Sequence, residues 1–203
     1  MSAAPFWDER FARPGFLFGE APNAFLKSQA HLLKPGMSVL AVADGEGRNG
    51  VWLAEQGLQV HAVDASAVAL EKSRQFAARR GVSLQWEEVD LQAWAWPHAA
   101  YDGVVAIFTQ FVGPEGRARQ FAGMRQALKP GGLLILQGYT PRQLEYGTGG
   151  PPHAENMYTQ ELLREAFGDW DILHLAEHDD VIEEGSGHSG MSALIDLVAR
   201  KPG

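Results

Sequence analysis

The sequence predicts one α/β domain whose mostly parallel sheet is covered by helices on both faces. Three observations predict it. The chain has 203 residues, enough for one ordinary domain with a sizeable core and too few for a cofactor domain plus a full second domain. Short β-rich runs alternate with helix-like segments along its length. At least one of those runs, Gly103 to Phe108, is apolar enough to be buried on both faces.

The elements follow in order. Asn23 can cap a helix to about Leu33, where Leu26, Ala30 and Leu33 recur at helical spacing before Pro35-Gly36 stops it. The first strand is Ser38 to Ala43, followed by a helix from about Arg48 to Gln56 that ends at Gly57. Val60 to Val63 is the second strand, and a long helix runs from Ser66 to about Arg80, stopping at Gly81. Leu84 to Val89 and Gly103 to Phe108 are the third and fourth strands. Glu115 to Leu128 places Phe121, Met124 and Leu128 on one helical face, and Pro130-Gly131-Gly132 separates it from the fifth strand, Leu133 to Gln137. Thr159 caps a last helix through Phe167, and Ile172 to Leu175 and Met191 to Ala199 read as closing strands. Residues 138–158, rich in Gly, Pro and Tyr, read as a long loop, and loops of that length are usually functional lids.

Composition narrows the function. Hydrophobic residues are 45% and charged residues 21% of the chain, an ordinary globular balance that argues against disorder. Seventeen Lys and Arg face 25 Asp and Glu, a formal charge of −8. No basic run stands out, so nucleic acid and anionic membranes are poor partners and a small molecule is the expected one. The absence of cysteine removes disulfides, thiolate catalysis and Cys-ligated metals. The N-terminal stretch lacks an apolar signal-like region, and no run is long enough to cross a bilayer, so a cytoplasmic monomer or homodimer is expected.

The most informative segment is VLAVADGEGRNG, Val39 to Gly50, where an apolar strand runs into a glycine turn that opens a helix. Gly45, Gly47 and Gly50 satisfy G-x-G-x-x-G, and Asp64 follows Gly45 by nineteen positions at the end of the next strand, where a carboxylate reaches ribose hydroxyls. These features suit NAD and S-adenosylmethionine equally. The Tyr-x-x-x-Lys relay common in dehydrogenases of this type is missing: Tyr101, Tyr139, Tyr146 and Tyr158 are followed four positions on by Val105, Gln143, Gly150 and Leu162.

In its place stand Asp90 just past the third strand, YDGVVAIF from Tyr101, and LKPGGLLIL from Leu128. With Asp64 these resemble the ordered motifs of class I S-adenosylmethionine-dependent methyltransferases over nearly the whole chain. The N-terminal FWDERFARPGFLFGEAPNAFL, the turn EGRNG, the segment GYTPRQLEYGTGGP and the closing EEGSGHSGMSALIDLVARK resemble the small bacterial tellurite-resistance and thiopurine methyltransferase-like group. The resemblance implies a Rossmann-like, seven-stranded, mostly parallel sheet with an antiparallel edge strand, S-adenosylmethionine at the carboxyl ends of the strands, and methyl transfer to a small molecule. It places Ala43, Gly45 and Gly47 against the methionine and ribose portions of the cofactor, Asp64 on the ribose hydroxyls, Asp90 with the Leu91 backbone at the adenine amino group, and Phe108 near the sulfonium.

The sequence departs from that pattern twice, with Ala41 where an acid usually engages the cofactor's amino group and Ala43 where glycine is usual. Asp44 and Glu46 are the candidate substitutes for the acid. An NAD-dependent oxidoreductase and a non-catalytic cofactor-binding homologue are the alternatives.

The remaining signals carry two readings each. Phe6, Trp7, Arg10, Phe11, Phe16 and Phe18 form an aromatic, basic arm that either closes over the ligand or packs on the domain. His188, in a glycine-rich loop from Glu184 to Gly190, is the candidate acid-base residue, since an imidazole titrates near neutrality; its alternative is an exposed loop histidine. His174 and His178 beside Asp179 and Asp180 lack metal-site spacing and read as a solvated loop, so no metal is expected. Trp94 and Trp96 either wall an adenine pocket or pack a sheet end.

Overall fold

The computed structural model describes residues 4–203. The first three residues, part of the expected arm, lie outside the described residues. Seven strands form one sheet: β1 (Ser38–Val42), β2 (Gln59–Asp64), β3 (Gln85–Glu88), β4 (Tyr101–Ile107), β5 (Leu128–Tyr139), β6 (Asp171–Glu184) and β7 (His188–Arg200). Their spatial order is β3-β2-β1-β4-β5-β7-β6. The first five run parallel, while β7 runs antiparallel to both β5 and β6, confining antiparallel pairing to one edge. The helices are α1 (Ala4–Phe11), α2 (Ala24–Gln29), α3 (Arg48–Glu55), α4 (Ala67–Arg80), α5 (Pro114–Ala127), α6 (Gln143–Tyr146) and α7 (Gln160–Phe167).

Strand periodicity explains the layers. Successive side chains point to opposite faces, so an uninterrupted apolar strand feeds two cores at once. Leu40, Val104 and Leu134 pack with Phe121 and Met124 of α5 and Phe167 of α7 on one face. Their neighbours Val39, Ala41, Val105 and Ile135 pack with Val51 and Leu53 of α3 and Phe76 of α4 on the other. The expected caps close the helices: Asn23, Ser66 and Thr159 side chains accept from the backbone N–H three residues on, and Gly81 ends α4 at φ +70°.

The closing strands are longer than the sequence pattern indicates. β6 and β7 pair continuously from Asp171 with Arg200 to Glu184 with His188, so the expected loop from Glu184 to Gly190 is a tight hairpin turn and His188 is the first residue of β7. The acidic run EHDDVIEE lacks apolar alternation because β6 is the exposed edge, where charge discourages further strand pairing. Residues 138–158 are also folded rather than looped. Tyr139 ends β5, α6 follows, Gln143 Oε1 accepts from Ala193 N at 2.8 Å, and Met157 and Tyr158 are buried. α1 and α6 are helices that the sequence pattern does not mark.

Candidate active site

A cavity of about 530 Å³ opens at the carboxyl ends of β1, β2 and β4. Ala43, Gly45, Asp64, Asp90, Leu91, Phe108 and His188 all line it. β1 and β4 reach its floor through strained ends: Ala43 has φ +50° and Phe108 φ +55°, a region that L-residues occupy at a cost of about 1–2 kcal/mol. Such outliers cluster where a backbone is bent to meet a ligand.

The glycine turn has three distinct tasks. Gly45, at φ +58°, lets the ring of Phe11 approach to 3.4 Å of where a Cβ would stand. Gly47 does not line the cavity; it caps α3 at φ +89°, and a Cβ there would lie 2.2 Å from Ser73 Oγ of α4. Gly50 leaves room for the carboxylate of Asp44, whose Oδ2 would be 2.3 Å from an added Cβ.

Asp64 is 7% exposed and braces the turn from below. Its Oδ2 accepts from Gly45 N at 2.8 Å and its Oδ1 from Ser66 N at 2.9 Å. Burial pushes its carboxyl above the usual range, and the backbone N–H groups of Ser66, Gly45 and Ala65 oppose that rise. Each oxygen keeps a further lone pair for a hydroxyl.

The two departures from the family pattern have structural accounts. Ala41 is 1% exposed in the core under α3 and α4 and supplies nothing to the cavity. Asp44 Oδ1 accepts from Gly50 N at 3.0 Å, while Oδ2 is buried against Gly50 with no hydrogen-bond partner. Burial, reinforced by the charge of Asp64, lifts its pKa to about 7 against the pull of Gly50 N–H and Arg48. Glu46 is committed elsewhere. Its Oε2 accepts from Leu17 N at 2.7 Å and its Oε1 from Lys72 Nζ at 2.9 Å.

Glu46 thereby ties down the aromatic arm, which covers the cavity with Trp7, Phe11 and Phe18. Asp8 Oδ1 accepts from Ser66 Oγ at 2.5 Å, Lys72 Nζ donates to the carbonyls of Arg13 and Gly15, and Gly187 N donates to Leu17 O. Phe16 packs on Phe76 of α4, Phe6 is exposed, and the Arg10 guanidinium lies 5.1 Å from the Trp7 ring centroid. Both readings of the arm therefore hold for different residues. The cover comes from this arm, and the lining includes no residue of 138–158.

His188 sits among the rings of Phe18, Phe108 and Tyr139, with centroids at 4.5, 4.6 and 5.7 Å. Its Nδ1 lies 3.5 Å from Glu184 Oε2, within ion-pair reach but too long for a well-formed hydrogen bond. Burial lowers its pKa, the carboxylate of Glu184 opposes this, and Arg48 and Arg10 add to the fall, so the imidazole is neutral at pH 7. Burial would raise Glu184, but His188 and Arg48 overcome it and hold the carboxyl at about 2. With His188 neutral, Arg48 is the charge partner that persists, donating from Nη2 at 2.7 Å. Asn23 Nδ2 donates to the other Glu184 oxygen at 2.9 Å and to Gln137 Oε1 at 2.7 Å.

Arg48, Glu184 and Tyr139 are the participants to which the sequence reading gave no role, as is Asn49, which lines the cavity and accepts from Asn23 N at 2.9 Å. The only local signal was RNG directly after the glycine turn. His178 Nε2 donates to Asp196 Oδ2 at 2.8 Å, and among the described residues no group of three or more His, Asp or Glu could hold a metal ion. Trp96 packs over Gly123 and Trp94 Nε1 donates to Glu87, placing both at a sheet end outside the cavity lining.

A sheet in this strand order, with a glycine turn after β1 and a carboxylate closing β2 under one cavity, is the architecture of class I S-adenosylmethionine-dependent methyltransferases. The chain shares that fold, and residues 39–132 match the family model described as a methyltransferase domain. A glycine/sarcosine N-methyltransferase of Halorhodospira halochloris is 31% identical over 138 residues, covering 64% of this chain and 47% of that protein. A thiopurine S-methyltransferase of Pseudomonas fluorescens is 29% identical over 202 residues, covering 88% of each chain. TehB from Haemophilus influenzae shares the fold with a TM-score of 0.73 at 16% identity, over 98% of this chain and 66% of that one. Apart from the thiopurine enzyme, the chain spans roughly half the length, or less, of the first curated relatives it matches.

Proposed function

We propose that the protein transfers a methyl group from S-adenosylmethionine to a small-molecule acceptor bound beneath the aromatic arm. The observation that carries this reading is the convergence of Ala43, Gly45, Asp64, Asp90, Leu91 and Phe108, from separate strand ends, on one cavity. The residues fit the cofactor. Gly45 and Ala43 give close backbone approach, Asp64 has lone pairs left for two ribose hydroxyls, and Asp90 with Leu91 stands where the adenine edge would lie. When bound, the cofactor supplies an electrophilic methyl carbon on a sulfonium.

The chain's own groups then do the rest. Trp7, Phe11, Phe18, Phe108 and Phe111 exclude water and hold the reacting groups in line, where positioning supplies much of the rate. Neutral His188 can take a proton from an acceptor that must lose one. A thiol, chalcogen oxyanion, amine or small hydroxyl compound is compatible, and relatives named for thiopurine and for glycine/sarcosine methylation support a small acceptor. The methyltransferase-domain match over residues 39–132 favours the sulfonium cofactor over NAD.

The test is thermal melting and calorimetry with S-adenosylhomocysteine and NAD, followed by turnover assays across acceptor classes. S-Adenosylhomocysteine should raise the melting temperature and NAD should not. Stabilisation by NAD alone would overturn the reading.

A further inference from the structure

One wall of the cavity carries Arg48 and His188, with Tyr139 packed behind His188, and of these only the imidazole has been given a part in methyl transfer. Arg48, the first residue of α3, is 7% exposed and lines the cavity. Its Nη2 is taken by Glu184, but its Nη1 is buried with no hydrogen-bond partner. Of the seven buried side-chain nitrogen and oxygen atoms without a partner among the described residues, three belong to Arg48, His188 and Tyr139. These three residues adjoin. The rings of His188 and Tyr139 touch, and Arg48 is a charged neighbour of both. The group is rich in donors, because a guanidinium and a phenol offer N–H and O–H and an imidazole offers one N–H. A buried donor without an acceptor bears a desolvation cost that only an incoming acceptor offsets. Glu184, held by Asn23 and Arg48, does not fill that need; it fixes the guanidinium plane and leaves the second nitrogen free.

We propose that Arg48 and His188, backed by Tyr139, form a subsite for an anionic group, a carboxylate or comparable oxyanion, on a molecule bound in the cavity. This rests on the methyltransferase reading for the identity of that molecule. The anion has two possible sources: the amino-acid carboxylate of the cofactor, or an acidic group on the methyl acceptor.

The experiment measures binding to the full chain of S-adenosylhomocysteine, of 5′-methylthioadenosine, which lacks the amino-acid carboxylate, and of benzoate and its neutral counterpart benzamide, with and without S-adenosylhomocysteine. Arg48→Lys keeps a charge opposite Glu184 and removes the second nitrogen of the fork. It should weaken S-adenosylhomocysteine or benzoate at least tenfold while methylthioadenosine and benzamide bind as before. Loss on S-adenosylhomocysteine alone assigns the subsite to the cofactor, and loss on benzoate alone assigns it to the acceptor. Glu184→Gln leaves one oxygen for the two donors Asn23 and Arg48 and releases the guanidinium, so it should weaken the same affinity at least threefold and leave methylthioadenosine and benzamide as before, whereas a variant that only loosened the fold would weaken all of them. Arg48→Lys protein of parental melting temperature that binds both anions within twofold of the parent overturns the proposal, as does a Glu184→Gln protein that weakens the neutral probes as much as the anions. If the parent binds neither adenosyl compound, the methyltransferase reading fails on its own, and benzoate binding to the free protein still decides the subsite.

Discussion

Asp44→Asn should change how stability depends on pH. Asp44 has a folded pKa of about 7, against 3.8 for the ordinary carboxyl. Between those values the folded state holds a proton that the unfolded chain has released, so this group makes stability fall as pH rises. Below the ordinary value both states are protonated and it contributes nothing. Above the folded value its full penalty applies, a shift of roughly three units at about 1.4 kcal/mol each, or about 4 kcal/mol. Asparagine keeps the oxygen that accepts from Gly50 N and cannot ionise. The assay is urea unfolding of parent and variant from pH 4 to pH 8. The stability of Asp44→Asn relative to the parent should rise steadily across that window, by up to about 4 kcal/mol. The burial of Asp64 is common to both proteins and cancels in the difference, while its repulsion with Asp44 is lost in the variant and adds to the same change. Parallel stability curves would refute the argument, because they would mean that Asp44 is ionised in the folded protein at no cost.

Gly50→Ala should cost about 1–3 kcal/mol, since its Cβ would stand 2.3 Å from Asp44 Oδ2 and 3.1 Å from Leu84 Cδ2; denaturant unfolding reads this, and an additional Asp44→Ala change should restore part of the loss. Ala43→Gly should raise stability by about 0.5 kcal/mol, the relief of a left-handed backbone less the entropy glycine adds to the unfolded chain; a lower melting temperature would remove the assignment of strain at φ +50°. His188→Ala, assayed at saturating cofactor with an acceptor that must lose a proton, should lower turnover about 10²- to 10⁴-fold; a rate within about threefold of the parent would exclude an acid-base role. Trypsin should cut the arm after Arg10 more slowly with S-adenosylhomocysteine present than without it, whereas equal rates would mean that the arm does not respond to the ligand.

The part of the cavity lining formed by Ala43, Gly45, Asp64 and Asp90 was legible in the sequence because its signals are local. A strand, a glycine turn and a helix start follow one another within Val39 to Gly50, and Asp64 and Asp90 each end or follow the strand that carries them. The same holds for the helix caps at Asn23, Ser66 and Thr159 and for the paired cores, where alternation along one strand reports its own burial. Periodicity says nothing about what an element meets. Arg48 and Glu184 are 136 residues apart in the chain and 2.7 Å apart in space. They meet because β6 folds back along β7 and brings the hairpin end to the start of α3. The same topology turned an expected loop at His188 into a strand end. The arm likewise closes through Glu46, expected to stand in for the missing acid, and Lys72, which the sequence reading gave no role. Strand order and hairpin length decide those encounters, and both arise from the cooperative burial of the whole sheet rather than from any one segment.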